Sequence, residues 1–339
     1  MRVKWVDYAK AGSILLVVMG HAGFPESVRS VIYVFHIPLF FFLSGLFFSF
    51  EKYPEYKTFL KNRFLQLVVP YLFFNIITYL FWLTVGRQFG KDALFDLDPL
   101  KPLLGILYGN ATGHFLEHNV PLWFLACLFI TENLYFLVFR KLNRKFQFFV
   151  LILAALVGYF DYKYNHNLRF PWGMNIAVVM LVFYGTGSLL RFWFLAEAKS
   201  KLILFSETVI SAVVVLLVAQ WNGKIEVSAH EYGHYLYFLV GAFAGILFAV
   251  SLSKLIDQVG LDLNFLQFIG KNTLIVLALR LTAGSFVKAI TVYALHLPLT
   301  IFDSPGAAFV YSLASVVSLV PVIIIMNRFL PFLIGKSKA

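Results

Sequence analysis

The sequence predicts an all-α polytopic membrane protein, a bundle of about ten transmembrane helices with both termini in the cytoplasm. Of its 339 residues, 60% are hydrophobic and only 13% are charged, and the mean hydropathy is +0.80. A soluble core with a hydrated surface does not have this composition. The apolar runs are longer than the roughly ten residues of a barrel strand, which favours helices. Because ten helical spans would use most of the apolar positions, we expect residues 1–339 to form one integral-membrane domain.

Ten apolar runs are the candidate spans, and each is read as a helix of about 20 residues, the fifth being short. The first run follows the polar pair Asp7 and Lys10, and no small-residue cleavage site comes after it. These features indicate a retained span rather than a signal peptide. The predicted spans are 5–24, 30–50, 65–85, 121–139, 146–160, 173–190, 202–221, 234–253, 272–290 and 306–327.

The formal net charge is +11, and the basic residues are distributed along the chain in agreement with the predicted topology. With the N-terminus in the cytoplasm, most of the 28 Lys and Arg residues fall in cytoplasmic segments. The positive-inside rule then places both termini in the cytoplasm and requires an even number of spans. The basic charge therefore indicates contact with membrane lipids and no nucleic-acid partner.

The first span carries a polar stripe. Lys10 and His21 are eleven residues apart, so on an ideal helix their directions differ by about 20° and their positions by about 16 Å along the axis. Asp7 falls near the same stripe. His21 could accept a proton from a substrate. Alternatively, His21 could be a packing histidine bonded to a carbonyl, with Lys10 serving only as a positive-inside anchor.

The second predicted span contains His36, at a depth similar to that of His21. The short connection at 25–29 makes the first two spans adjacent and antiparallel. The two imidazoles could therefore face each other, although the sequence does not fix which helix faces meet.

A basic cluster precedes the third span and contains Lys57, Lys61 and Arg63. Such a cluster could fix the orientation of the helix or attract anionic lipid. It could also bind a phosphorylated cytoplasmic ligand, for which Arg63 offers a planar donor fork.

Glu132 and Arg280 are charges within predicted spans, and both lie about 12–14 Å from the cytoplasmic edge. Because an unpaired charge at that depth is costly, we expect them to pair directly or through water. The pair could be structural or could contribute to catalysis.

Residues 230–234 read HEYGH and match the H-E-x-x-H pattern of zinc peptidases. On one helix His230 and His234 would share a face. The stretch contains Gly233 and follows a polar loop, and no plausible third ligand comes after it. A chance match at a helix boundary is the preferred interpretation, and no metal is expected.

The segments that carry a family resemblance run through nearly the whole chain. They read WVDYAKAGSILLVVMGH, FHIPLFFFLSG, FLKNRFLQLVVPYLFFN, VPLWFLACLF, GTGSLLR and FIGKNTLIVLAL. In this order they resemble the membrane-bound acyltransferases of type 3, in the fucose 4-O-acetylase-like branch. The specific part is a basic residue followed by x10-His and then by FHxPLFFFLSG.

This resemblance implies a ten-helix O-acyltransferase in a bacterial cytoplasmic membrane. It would move an acetyl or short acyl group from cytoplasmic acetyl-CoA or acyl-CoA to a hydroxyl of a cell-surface sugar or lipid-linked glycan. Lys10, Lys61 and Arg63 would contact CoA phosphates, and His21 would act as the base. His36 could bind the acceptor or polarise the acyl carbonyl.

The chain departs from the family pattern at three positions. The basic residue before x10-His is often Arg and here is Lys10, which keeps the charge but loses the fork. Glu132 does not have the spacing from Trp123 that some branches show, which places a catalytic role in doubt. Members often have histidine where this chain has Arg280. Arg280 could bind a carboxylate, a phosphate or a developing oxyanion, or could hold Glu132.

The longest segment between predicted spans is 86–120, and it is our candidate for acceptor contact. It holds Asp92, Asp96, Asp98, His114, Glu117 and His118 among aromatic residues. The main rival function is a glycolipid or organic-anion transporter. A transporter would be expected to show an internal repeat with paired broken helices, and the sequence shows none.

Overall fold

The computed structural model describes residues 3–89, 97–165, 167–196 and 199–336. These residues form α-helices joined by short 3-10 and π-helical turns, and within the described ranges extended pairing is limited to the bridge between Glu226 and Glu231. The helices are α1 (Lys4–Gly20), α2 (Glu26–Leu46), α3 (Tyr56–Arg63), α4 (Val69–Thr84), α5 (Leu100–Tyr108), α6 (Trp123–Phe139), α7 (Arg144–Asn165), α8 (Met174–Leu189), α9 (Arg191–Leu195), α10 (Lys201–Trp221), α11 (Tyr235–Val259), α12 (Asn264–Gly270), α13 (Thr273–Ala289), α14 (Pro305–Ser318) and α15 (Val320–Phe329).

In the described part of the chain, nine helical segments are long and apolar enough to cross a membrane. They are Glu26–Leu46, Tyr56–Gln88, Glu117–Phe139, Arg144–Asn165, Pro171–Leu189, Lys201–Trp221, Tyr235–Val259, Thr273–Ala294 and Pro305–Phe329. The remaining predicted span corresponds to α1, whose 17 residues lie at the short end of the range for a spanning helix. The prediction of an all-α polytopic membrane protein is confirmed.

Several predicted spans differ from the observed helices in extent, the third, fifth and last among them. The fifth was expected to be short, but α7 has 22 residues because its helix continues through the polar stretch DYKYN. The third begins earlier than expected, since α3 runs through the π-helical turn Phe64–Val68 into α4. The last is divided into α14 and α15 at Leu319, just before Pro321, which lacks the N–H needed to continue the helical ladder.

Helix α2 lies inside the bundle and packs against α1, α8, α10 and α11. Glycines allow this close packing: a Cβ on Gly45 would lie 1.9 Å from the Tyr184 carbonyl oxygen, and one on Gly245 would lie 2.2 Å from Phe35. Small residues at helix contacts let backbones approach in a membrane, where apolar burial alone does not drive association. His36 is thereby held in the interior.

A buried polar network fixes α13 against α4. The Asn119 amide donates to the Ala278 carbonyl at 2.7 Å and to the Thr78 hydroxyl at 3.2 Å. The neighbouring His118 Nε2 lies 2.9 Å from the Asn75 side-chain oxygen. His118, which we expected in the acceptor-contacting loop, is therefore part of the packed interior. The network ends two residues before Arg280 and holds that part of α13 in place.

Candidate functional site

His21 lies directly after α1, not within it. The prediction placed it inside the first span, but the helix ends at Gly20 and His21 is the C-terminal capping residue. The Tyr33 hydroxyl donates to the Gly20 carbonyl at 3.2 Å, and a Cβ on Gly20 would lie 2.8 Å from the Tyr33 ring. The chain turns away beyond this contact, and the His21 side chain is exposed. An exposed imidazole at a helix end is open to a substrate hydroxyl.

The rings of His21 and His36, which could face each other in the prediction, both lie against the Tyr33 ring. The Tyr33 ring centroid is 6.0 Å from that of His21 and 5.2 Å from that of His36. The His36 ring is 6% exposed, and its Nδ1 donates to the Ile32 carbonyl at 2.8 Å. In the neutral ring this bond leaves Nε2 as a hydrogen-bond acceptor.

Arg280 belongs to the same group of side chains. It is 5% exposed, and its Nε has no hydrogen-bond partner among the described residues. It interacts electrostatically with Tyr33, Tyr311, His21 and His36. We call His21, Tyr33, His36, Arg280 and Tyr311 the histidine cluster.

The loop 222–234 borders the histidine cluster. Arg29 lies over the Tyr33 ring at 5.4 Å, and Glu226 interacts electrostatically with both of these residues. Burial raises the pKa of the Glu226 carboxyl, an effect that the Ser228 hydroxyl partly offsets. The loop is closed by a 2.9 Å ion pair between Lys224 and Glu231.

A second charged group, with Glu132 buried and Arg63 half-buried, lies between α3 and α6. The Glu132 carboxylate is 3.1 Å from Arg63 Nε, and Arg63 Nη1 donates to the Gln66 side-chain oxygen at 2.8 Å. The side chains of Arg63 and Glu132 are 18% and 4% exposed. The Tyr184 hydroxyl lies beside the carboxylate. We call Arg63, Gln66, Glu132 and Tyr184 the Arg63 cluster.

The predicted direct pair between Glu132 and Arg280 is wrong. In the structure Glu132 pairs with Arg63, and Arg280 belongs to the histidine cluster. Similar depth in the membrane did not imply lateral contact, because α6 and α13 present these side chains to different neighbours. The Arg63 guanidinium also stacks over the rings of Tyr53 and Phe59 at 5.5 and 5.6 Å. Its donor fork is thus largely engaged within the protein.

The other predicted polar residues of α1 and α3 differ in their burial. Lys10 is half-buried, with its ammonium 5.9 Å from the Phe47 ring centroid, and Asp7 is buried. Lys61 is exposed. A Cβ on Gly12 would meet no described atom within 4 Å, so α1 borders open space between Lys10 and His21.

The HEYGH stretch does not form the helix that a zinc-peptidase site requires. His230 has φ +57°, and α11 begins only at Tyr235. His230 is fully buried, with Nε2 3.3 Å from Asp161 and Nδ1 3.1 Å from Asn175. In the described ranges no group of three or more His, Cys, Asp or Glu residues is arranged to hold a metal ion.

The structure describes the segment 86–120 only in part. Lys91, Asp92 and Asp96 lie outside the described residues. Of the rest, His114 is exposed and forms a 2.8 Å contact with Glu117. A role in acceptor contact stays a prediction.

A groove of about 870 Å³ lies between α7 and α11. Its wall is apolar near Ile152 and Leu239 and polar near Lys163, Arg169 and Glu231. None of the residues of the histidine cluster lines it. The chemistry of the side chains, and not the size of a cavity, therefore identifies the candidate site.

Sequence reasoning missed Tyr33, Tyr184 and Tyr311. The chain has 17 tyrosines, and tyrosine is common at membrane interfaces, so none was distinctive. One signal was present for Tyr33, which precedes His36 by three residues and must share its helix face.

Comparison with known proteins gives the family. A model of the type 3 acyltransferase family, described as an acyltransferase domain, matches residues 3–328. No curated protein and no solved structure matches the chain at significant similarity. The match favours acyl transfer over the transporter interpretation. Covering nearly the entire sequence, it shows that the chain belongs to the type 3 acyltransferase family and is a multi-pass membrane acyltransferase.

Proposed function

We propose that this acyltransferase moves an acetyl or other short acyl group from cytoplasmic acyl-CoA to a hydroxyl of a cell-surface sugar or lipid-linked glycan in a bacterial cytoplasmic membrane. The observation that carries the proposal is the placement of an exposed imidazole, His21, at the far end of the helix that carries Lys10. The helix rises by about 15 Å from Lys10 to Gly20, directly before His21, and a pantetheine arm can span this distance.

Acyl-CoA would bind at the Lys10 end of the bundle. Lys10 and the exposed Lys61 would contact CoA phosphates as point charges. Arg63 was expected to add a bidentate contact, but its Nε and Nη1 already engage Glu132 and Gln66. We therefore assign Arg63 mainly to positioning α3 against α6, with at most one phosphate contact. The open space beside Gly12 would admit the pantetheine arm.

The chemistry would take place at His21. Its imidazole removes the proton of the acceptor hydroxyl while the hydroxyl oxygen attacks the thioester carbonyl. The carbon–sulfur bond then breaks, and the imidazolium returns the proton to the CoA thiolate. The acyl ester and free CoA leave. His36, fixed by the Ile32 carbonyl, would accept a hydrogen bond from the acceptor through Nε2.

The test is release of free CoA from labelled acetyl-CoA by the purified protein in lipid nanodiscs, with a mixed pool of surface glycans as acceptors. His21→Ala should lower turnover by about 100- to 10,000-fold, the usual contribution of a general base. Binding of acetyl-CoA should remain, because His21 acts on the acceptor.

The matched control is His234→Ala, which removes an exposed histidine outside the histidine cluster and should leave turnover unchanged. Equal turnover in wild type and His21→Ala would contradict the assignment of the base. Failure of the wild-type protein to bind acetyl-CoA would contradict the proposed donor.

A further inference from the structure

Arg280 is a buried cation without an anionic neighbour in the part of the chain that the structure describes. Its electrostatic neighbours are Tyr33, Tyr311, His21 and His36. Tyrosine and histidine side chains are neutral or cationic near pH 7. The guanidinium charge is therefore not compensated by the side chains around it.

Burial of an uncompensated charge costs several kcal/mol, and such residues within membrane spans usually serve function. Arg63 shows how this protein otherwise meets that cost, with a carboxylate at 3.1 Å and a side-chain amide at 2.8 Å. Arg280 lacks both kinds of partner, and its Nε makes no hydrogen bond within the described residues. A ligand that supplies negative oxygens would complete the site.

The surroundings of Arg280 are suited to such a ligand. The residue one turn further along α13 is Gly284, where a Cβ would lie 2.1 Å from the Tyr311 hydroxyl. The absence of a side chain there lets this hydroxyl reach the face of α13 that carries Arg280, since residues four apart share a face. Asn119 fixes the same helix through the Ala278 carbonyl. The guanidinium is thus held beside a phenolic donor and close to His21.

We propose that Arg280 binds an anionic oxygen group, a carboxylate or a phosphate, on the acceptor sugar, and so selects acidic acceptors. This inference rests on the proposed acyl transfer at His21. A planar guanidinium can donate two parallel hydrogen bonds to either group. The anion would anchor the acceptor while a neighbouring hydroxyl reaches His21. Arg280 would then determine specificity and would not take part in proton transfer.

A role limited to the oxyanion of the reacting thioester fits the resting protein less well. That oxyanion exists only in the transition state, whereas the charge of Arg280 is buried throughout the cycle. An acceptor that carries a permanent negative charge compensates the guanidinium for as long as it is bound.

The experiment measures sugar binding by isothermal titration calorimetry to the protein in nanodiscs without acyl-CoA. The probes are methyl glucoside, methyl glucuronide and methyl glucoside 6-phosphate, which distinguish a neutral sugar, a carboxylate and a phosphate. Wild type should bind at least one anionic probe 10-fold or more tightly than the glucoside. Arg280→Gln should remove this preference, and Arg280→Lys should retain part of it. The matched control Arg144→Gln, which changes an exposed arginine on α7, should retain all of it.

Equal binding of the neutral and anionic probes by wild type, lack of detectable anion binding, or an unchanged preference in Arg280→Gln would overturn the proposal. Because no acyl donor is present, these results do not depend on acyl transfer. If His21-dependent turnover occurs and Arg280→Gln lowers kcat equally for neutral and acidic acceptors, Arg280 serves the reacting oxyanion and only the present inference fails.

Discussion

Arg280, which is buried, and Arg63, which is half-buried, lie in different surroundings. Arg63 contacts a carboxylate, a glutamine amide and two aromatic rings. Arg280 is more deeply buried but has tyrosines and histidines as neighbours. In the Arg63 cluster the Glu132 carboxylate balances the guanidinium charge without a ligand. In the histidine cluster none of the member side chains carries a negative charge to balance Arg280.

This difference separates a structural charge from a charge kept for a ligand. Removing one partner of a buried ion pair lowers stability strongly, because the other charge is left buried and unpaired. An unpaired one lowers the stability of the free protein and is retained where binding recovers the loss. The contacts of the two guanidinium groups, and not their position inside the bundle, separate these interpretations.

The largest expected change in unfolding free energy comes from breaking the ion pair of the Arg63 cluster. Glu132→Gln leaves Arg63 without its anionic partner and should lower the unfolding free energy by about 3–5 kcal/mol. The measurement is reversible unfolding in mixed micelles. The double variant Arg63→Gln/Glu132→Gln removes both charges and should recover most of the loss. A loss below about 1 kcal/mol in the single variant would mean that the Arg63 charge is already solvated.

A smaller change in unfolding free energy, in the stabilising direction, is expected in the histidine cluster. Arg280→Gln removes an uncompensated charge and should change the unfolding free energy by between zero and a gain of about 2 kcal/mol. Arg63→Gln under the same conditions should be destabilising, because it leaves the buried Glu132 carboxylate without its cationic partner. If Arg280→Gln destabilises the protein as much as Arg63→Gln does, the contrast between the two clusters is wrong.

The smallest effect concerns Glu226, at the border of the histidine cluster. Burial raises the pKa of this carboxyl above its unfolded value, so the folded protein binds the proton more tightly. The contribution of Glu226 to stability therefore falls as pH rises from the unfolded pKa, about 4.3, through the folded pKa. Glu226→Gln should be neutral at low pH and relatively stabilising near pH 7. Melting temperatures of both proteins between pH 4 and 8 test this, and a difference that does not change with pH would contradict it.

The helices could be predicted from the sequence because apolar runs and charged ends define them. The predicted spans 121–139 and 202–221 correspond to α6, Trp123–Phe139, and α10, Lys201–Trp221. Bounds failed where a helix continues through a polar stretch, as α7 does through DYKYN, or stops early, as α1 does at Gly20. Hydropathy does not report either event, because a helix can continue through polar residues or end within an apolar run.

The candidate site was predictable only in part. Residue spacing predicted Lys10 and His21 on one helix, whereas His21 directly follows the end of α1 at Gly20. The short connection to α2 brings His21 and His36 to the Tyr33 ring. The partner of Glu132 could not be found in this way. Residue spacing predicts how deep a side chain lies along the membrane normal, but not which helix lies beside it. Tyr33 and Tyr311 gained their positions from helix packing, which no periodicity encodes.

The π-helical turn Phe64–Val68 is equivalent to one extra residue inserted in an otherwise continuous α-helix. Deleting one of its apolar residues would restore regular α-helical geometry with almost no change in hydropathy. It would also rotate α3 by about 100° relative to α4 and carry Arg63 away from Glu132. Chain length at this turn, and not only composition, therefore decides whether the buried pair forms. In related sequences a single-residue gap here should accompany the loss of the acidic residue on α6.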